Sequence, residues 1–366
     1  MAAEISLENV IKTYPGTARP AVNDISMRIP GGAVTVLIGP SGSGKTTLLK
    51  MMNRLIEPTS GTIKIGGQDI SRLDQHQLRR SVGYAIQQVG LFPHWSVERN
   101  IATVPRLLGW DRSRIKARVE ELLDLVGLEP GLRKRYPMQL SGGQQQRVGV
   151  ARALAADPPT MLMDEPFAAV DPIVRERLQD ELRRIQEKVR KTIVFVTHDL
   201  DEAFKVGDRI AILDDQGRLH QVDDCEKVLA HPADPFVEEF LGRERGLRAL
   251  ALITVGSIAH APEPQVSEDA SPNEARQAMD DAGTDWAVVL DGAGEVVGIV
   301  EAGDLREAER VWEIGQRART PVPPEATLRE ALDILLTTGR SALPVFGPEG
   351  IAGVITIDQL KKVLQR

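Results

Sequence analysis

Only one cysteine, Cys225, occurs in the 366 residues. It cannot form a disulfide within the chain, which fits a reducing compartment, and a lone thiol is ordinarily inert. Long apolar runs are missing too. The longest, residues 249–259, is broken by Gly256 and Ser257 and falls well short of the ~20 residues that span a bilayer. Any work at a membrane therefore needs other subunits to cross it. The opening stretch, MAAEISLENVIKTY, lacks the charged-then-apolar layout of a signal peptide, and none is expected. Nor is there an excess of positive charge. The chain carries 45 Lys and Arg against 52 Asp and Glu, net −7, so no global field favours nucleic acid. From residue 243 onward 13 basic side chains face 20 acidic ones, while the preceding part holds 32 of each. The negative excess belongs to the C-terminal third.

The length calls for more than one domain. Residues 1–242 read as alternating strands and helices. AVTVLI at 33–38 ends in a glycine-rich turn, and 46–53 then looks helical; 160–163 and 192–196 are further apolar runs ending in polar residues. Buried strands separated by helices predict an α/β sheet. His231-Pro232 and Asp234-Pro235 punctuate the end of this region. The remainder holds a repeat. AVVLDGAGEVVGIVEAGDL at 287–305 aligns without gaps to ALPVFGPEGIAGVITIDQL at 342–360, an offset of 55. Before each copy lies one apolar helical face, Ala275, Ala278, Met279 and Ala282 in the first and Leu328, Ala331, Leu332 and Leu335 in the second. Two βαββα copies, 243–314 and 315–366, are too small to bury a core singly and are predicted to pack face to face.

GPSGSGKT at 39–46 fits G-x-x-x-x-G-K-[ST] between a predicted strand and helix. Glycines allow backbone N–H groups to surround phosphate oxygens, and a helix N-terminus adds a favourable dipole. Gly39, Pro40, Ser41, Gly42, Ser43, Gly44, Lys45, Thr46 and the following Thr47 are thus the expected nucleotide-binding residues. Lys45 is expected to reach the β- and γ-phosphates and the Thr46 hydroxyl to ligate Mg²⁺. MLMDEP at 161–166 ends a strand in two acids. Beside a phosphate loop, Asp164 is expected to hold Mg²⁺ through water and Glu165 to accept a proton from, or orient, an attacking water. His198, in VFVTHD, closes another strand and is expected to donate to the γ-phosphate, because neighbouring parallel strands deliver their C-terminal ends to one crevice. LSGGQQQR at 140–147 supplies a second anion-binding helix start, Ser141, Gly142, Gly143 and Gln144. One nucleotide needs one cradle, so the second is expected to serve a nucleotide held elsewhere.

With these motifs, residues 1–242 resemble the ABC ATPase domain, a P-loop NTPase fold with a helical subdomain. The resemblance implies ATP and Mg²⁺ as ligands and a head-to-tail homodimer in which the signature of one subunit closes over ATP on the other. It places Tyr14, in KTYPG, on adenine, although an exposed turn tyrosine has the same look. It gives Gln87 contact with Mg²⁺ or water and Asp171 the coupling of the two sites. Val170 stands where that family usually has leucine, and Gln139 where glutamate often precedes the signature. A single ATPase domain, no membrane span and an appended C-terminal module favour an importer. MMNRLIEPTSG, VPRLLGW, RALAADPPTMLMDEP and FAAVDPIVRERLQ resemble the osmoprotectant importers, which take up glycine betaine, carnitine, choline and related solutes. That likeness implies membrane permease subunits and a periplasmic or lipid-anchored solute-binding protein as partners, and a place on the cytoplasmic face of the inner membrane. Importers of methionine, polyamines or sugars, and a soluble ABC switch, remain alternatives.

The C-terminal repeat resembles a tandem CBS pair. Such pairs commonly bind adenine nucleotides through G-φ-φ-[ST]-x-x-D. Here the motif is split: GIVEAGD keeps Asp304 but has Glu301 in place of the hydroxyl, and GVITIDQ keeps Thr356 but has Gln359 in place of the carboxylate. Glu301 would repel a phosphate. Cyclic di-AMP, which some relatives hold between CBS pairs, a response to ionic strength, and a purely structural role stay open.

Overall fold

A computed structural model describes residues 2–86, 90–168, 171–242, 244–306, 311, 322–348 and 350–364. The chain divides into two compact units, Met1–Leu241 and Gly242–Arg366.

The first unit contains two sheets. β1 (Ile5–Lys12), β2 (Val22–Ile29), β4 (Ser60–Ile65) and β5 (Gln68–Asp69) form an antiparallel sheet in the order β2-β1-β4-β5. From Ile25 onward β2 alternates, with Ile25, Met27 and Ile29 buried, as expected of a sheet with one wet face. β1 breaks that alternation at a register shift between Leu7 and Val10, a bulge in which Asn9 adopts a positive φ of 48°. The second sheet runs β10-β9-β3-β8-β7-β6, from β3 (Val34–Ile38), β6 (Val82–Ala85), β7 (Thr160–Asp164), β8 (Thr192–Val196), β9 (Arg209–Leu213) and β10 (Leu219–Asp224). β3, β7 and β8 are buried at every position. Parallel strands covered on both faces read as unbroken apolar runs, and this is why they are legible in the sequence. One core cluster joins Ile5, Val10 and Ile25 of the first sheet to Leu37, Leu162 and Val194 of the second, with Leu48, Leu49, Met51 and Met52 of the helix Lys45–Met52. Burying each of those four side chains contributes about 1.5–3 kcal/mol, which anchors the helix that begins the phosphate loop's far side.

In the second unit the two copies share one plan. The helices Pro272–Ala282 and Leu328–Thr338 each open with a capping box, Ser271–Glu274 and Thr327–Glu330, and each ends on a left-handed glycine, Gly283 and Gly339. Ala275 and Met279 in the first helix and Leu328, Ala331 and Leu335 in the second are buried, while Ala282 is exposed. β11 (Gln265–Ser267), β12 (Trp286–Leu290) and β13 (Val296–Glu301) make one sheet, β14 (Ala342–Gly347) and β15 (Gly350–Thr356) the other. Trp286, Val288 and Ile299 of the first copy meet Ala342 and Val354 of the second in a common core, so the copies do pack face to face. The ungapped offset of 55 needs correction. Trp286 pairs with Glu301, and Ala342 with Thr356. Trp286 therefore matches Ala342, one residue more than the offset that relates Glu301 to Thr356. The first hairpin turn is one residue longer. A slip of one residue inverts the faces of a strand, so Ala287, not Val288, corresponds to Leu343.

In the first unit, His220 ties the last helix, Pro235–Leu241, to the β9–β10 hairpin. Its Nδ1 lies 2.6 Å from an Asp234 carboxylate oxygen and its Nε2 lies 3.1 Å from one of Asp214. Both ring nitrogens can donate only in the imidazolium. Burial alone would lower the His220 pKa, but the two carboxylates outweigh it and raise it above 6.5. The bond from His220 holds Asp234 below 3.8, and burial of Asp214 is outweighed by the Arg218 N–H and His220, which bring it below 3.8 as well. The histidine contribution is complete below about 6.5 and fades as pH rises through the higher folded value. The aspartate contribution is present above about 3.8 and fades as pH falls through the lower folded values. His220→Phe, which keeps the stacking on Phe236, is therefore expected to lose most stability between these limits and progressively less toward alkaline pH. Thermal melts of both chains across pH measure the gap; a gap that widens above neutrality would contradict the clamp.

Candidate active site

The phosphate loop follows β3 and ends at Lys45, the first residue of its helix. Two glycines are fixed by their surroundings. A Cβ on Gly39 would overlap the Leu213 carbonyl, and Gly44, at φ 83°, faces the Ala21 carbonyl in the same way. Lys45 is 6% exposed. Its ammonium donates to the Gly39 and Pro40 carbonyls, both at 2.8 Å, and to Ser43 Oγ at 3.0 Å. Burial lowers its pKa, and the nearby charges of Glu165 and Asp164 oppose that shift. The next side chain, Thr46, donates its hydroxyl to Asp164 Oδ1 at 2.8 Å. A hydroxyl and a carboxylate in contact beside a lysine are hard oxygen donors, and they fit Mg²⁺ carried by a triphosphate. Tyr14 comes close from the β1–β2 connection. Its hydroxyl is 3.4 Å from Thr47 Oγ1, and Lys12 Nζ lies 5.4 Å from its ring centre. The ring is thus half-buried beside the start of the helix, rather than out on a free turn.

The acids arrive on β7. Asp164 is 7% exposed, and burial raises its pKa against the Thr46 hydrogen bond and Lys50. Glu165 leaves the strand in the left-handed region, φ 43°, a conformation that costs a residue with a Cβ about 1–3 kcal/mol. Its N–H still bonds the Val196 carbonyl of β8 at 3.0 Å. Its carboxylate Oε1 lies 3.1 Å from His198 Nδ1, and the histidine ring is mostly exposed. The structure therefore gathers Lys45, Thr46, Asp164, Glu165 and His198 at one end of the parallel sheet. Gln87 and Val170 lie outside the described residues.

Ser141 starts the helix Gly142–Leu154 and closes a capping box. Its Oγ accepts from the Gln144 N–H at 3.2 Å, and Gln144 Oε1 accepts from the Ser141 N–H at 3.0 Å. Ser141 and Gly142 are exposed. No described residue of 141–144 is hydrogen-bonded to 39–47, so this second helix start is open to another molecule. Asp171 is exposed, and its carbonyl accepts from the Arg175 N–H at the head of the helix Pro172–Val189. Arg175 and Glu202, which no motif flags, line one small cavity with His198, and Gln179 behind them donates to Glu202. Only their spacing along helices already known to be there could have pointed to them.

The ABC transporter family profile matches residues 22–168, and the CBS domain profile matches 255–310 and 313–366. The osmoprotectant import ATP-binding protein OsmV of Salmonella typhimurium is 44% identical over 94% of this chain and 92% of its own. The glycine betaine/carnitine/choline transport ATP-binding protein OpuCA of Bacillus subtilis is 44% identical over 96% and 94%. Among solved structures, the dimeric ATP-binding cassette MJ0796, in a post-hydrolysis state bound to ADP and Pi, is 35% identical. It covers 60% of this chain and 98% of its own, with a TM-score of 0.55.

The two loop glycines with open and closed surroundings make a paired test. An alanine Cβ at Gly42, φ 85°, meets nothing within 4 Å, whereas at Gly44 it overlaps backbone. Gly42→Ala is expected to cost only the left-handed conformation, about 1–2 kcal/mol. Gly44→Ala has to move the loop, and is expected to weaken ATP binding at least tenfold more than Gly42→Ala in an equilibrium titration. Equal affinities would contradict the close approach.

Proposed function

This chain belongs to the ABC transporter family, among the osmoprotectant-import ATP-binding proteins with paired CBS domains, and on that premise we propose how its residues hydrolyse ATP to power uptake. It is the ATP-hydrolysing subunit of an importer for solutes such as glycine betaine, carnitine or choline. Its relatives' names favour these cargoes over methionine, polyamines or sugars, and favour transport over a free-standing switch. Integral membrane permease subunits and a solute-binding protein complete the machine, with this subunit peripheral on the cytoplasmic face. Residues 1–242 are read as the ATPase.

The observation that carries the mechanism is the Glu165–His198 pair, 3.1 Å apart, beside the Lys45 loop. Tyr14 stacks on adenine. Lys45 leaves the carbonyls it now bonds and neutralises the β- and γ-phosphates. Mg²⁺, held by the Thr46 hydroxyl and Asp164, with Gln87 as a further partner, would offset charge on the triphosphate. Glu165 accepts the proton of the attacking water, and His198 orients the γ-phosphate. Because the Ser141 helix start is open, it serves the ATP of a second copy, with Asp171 linking the two sites.

The CBS pair is read as a regulator that does not take AMP or ATP in the ordinary way. Glu301 Oε1 accepts from the backbone N–H groups of Ser341 and Ala342, at 2.7 and 3.2 Å. Asp304 bonds Arg340 at 2.9 Å, and Gln359 Oε1 caps Thr356. The residues of the split motif are occupied within the unit, and Glu301 already fills two donors that an anion would use. Cyclic di-AMP remains the nucleotide whose site need not use them.

Glu165→Gln keeps the shape and removes the proton acceptor. It is expected to lower ATP turnover at least about a hundredfold while ATP with Mg²⁺ drives the protein into a stable dimer on gel filtration. Normal turnover, or monomers only at saturating ATP, would contradict the assignment. For the CBS pair, calorimetry of the full chain with AMP is expected to show no micromolar binding, and a micromolar site lost in Asp304→Ala would overturn the reading of Glu301.

A further inference from the structure

Resting on the ATPase reading, we propose that Gln179 and Glu202 are positioning residues that tie the Asp171 loop to His198, so that a shift at one moves the other. Asp171, Arg175 and Gln179 are spaced by four, one stripe along the helix Pro172–Val189 and the residue before it. That stripe meets the chain just after His198. Arg175 Nη1 lies 3.8 Å from Asp199 Oδ2, and Gln179 Nε2 donates to Glu202 Oε1 at 3.1 Å. The Thr197 hydroxyl also favours the charged form of the Glu202 carboxylate. Thr197 Oγ1 in turn accepts from the Asp199 N–H at 3.1 Å, and Asp199 Oδ1 accepts from the N–H groups of Asp201 and Glu202. Thr197 and Asp199, the neighbours of His198, are thereby pinned to one face of one helix. Glu165, His198, Arg175, Asp199 and Glu202 line a single small cavity.

The burial of this network needs a reason. Thr197 is 1% exposed, and Gln179 and Glu202 are 6% each. Burial raises the Glu202 pKa, and the Thr197 hydroxyl and the Gln179 amide oppose that shift. A buried carboxylate held by neutral partners is commonly no more stable than a well-packed apolar side chain in its place, but it is directional, and an apolar contact is not. A helix stiffened by its own hydrogen bonds carries displacement of Asp171 to Gln179 with little loss. The bonds from Gln179 through Glu202 and Asp199 pass it to the backbone that holds His198. In the dimer, Asp171 belongs to the interface, so this path lets the state of one site set the histidine that attends the other.

The test uses steady-state ATP hydrolysis by the full chain, with thermal unfolding of each variant alongside. Gln179→Leu keeps volume and removes the donor. It is expected to lower kcat about tenfold with KM for ATP unchanged, and to bring the Hill coefficient toward one. Glu202→Gln still offers a carbonyl to Gln179 and is expected to stay within about threefold of wild type; Glu202→Leu is expected to behave as Gln179→Leu. A folded Gln179→Leu with wild-type kcat and cooperativity would overturn the coupling. So would a loss of folding in both leucine variants, which would mark the network as structural only. A wild-type chain without ATP hydrolysis would instead defeat the underlying ATPase reading.

Discussion

The site depends on one constraint, the parallel register of three adjacent strands. Leu37 of β3 lies beside Val196 of β8, and Val196 lies beside Asp164 of β7. These strands end level with one another. The segments that leave them are therefore delivered to the same place: the phosphate loop after β3, Glu165 after β7, and His198 after β8. Crossover connections make the order in the sheet differ from the order in the chain, so residues 118 positions apart, Thr46 and Asp164, share a hydrogen bond. A slip of one residue in either pairing would separate them.

That register builds the phosphate-loop side of the site. It supplies a cation, a hydroxyl, two acids and a histidine, each held by the backbone it terminates. The strained backbone of Glu165 shows the tension in this design: the residue turns into the left-handed region yet keeps its N–H on Val196. The first unit does not bring the second helix start to the loop. Ser141 and Gln144 satisfy each other, leave their helix end exposed, and make no hydrogen bond to the loop. On the proposed reading another copy completes the cradle, which accounts for two anion-binding helix starts in one domain.

Much of this was legible in the sequence because it is local. Strand, loop and helix are contiguous around Lys45, and Asp164, Glu165 and His198 each close a strand that apolar runs reveal. The capping of Ser141 by Gln144 likewise spans only four residues. The features that escaped have longer reach. The Gln179–Glu202 bond joins two helices across 23 positions, and neither residue stands in a recognisable motif. The repeat was legible as a repeat, yet its ungapped alignment hid a turn one residue longer, because glycine turns of either length look alike until the pairing of Trp286 with Glu301 and of Ala342 with Thr356 is seen. Nor does the sequence show that Glu301 turns its carboxylate onto Ser341 and Ala342.

The central claim is that the helix start at Ser141 acts on the nucleotide of a second copy. ATP affinity of the monomeric Ser141→Arg chain, measured beside Lys45→Ala at concentrations too low for dimers, addresses it directly. The expected result is wild-type affinity for Ser141→Arg, with hydrolysis lost once the chains are concentrated, and a clear loss of affinity for Lys45→Ala. An equal loss of affinity in the two variants would place Ser141 in its own subunit's site and contradict the claim.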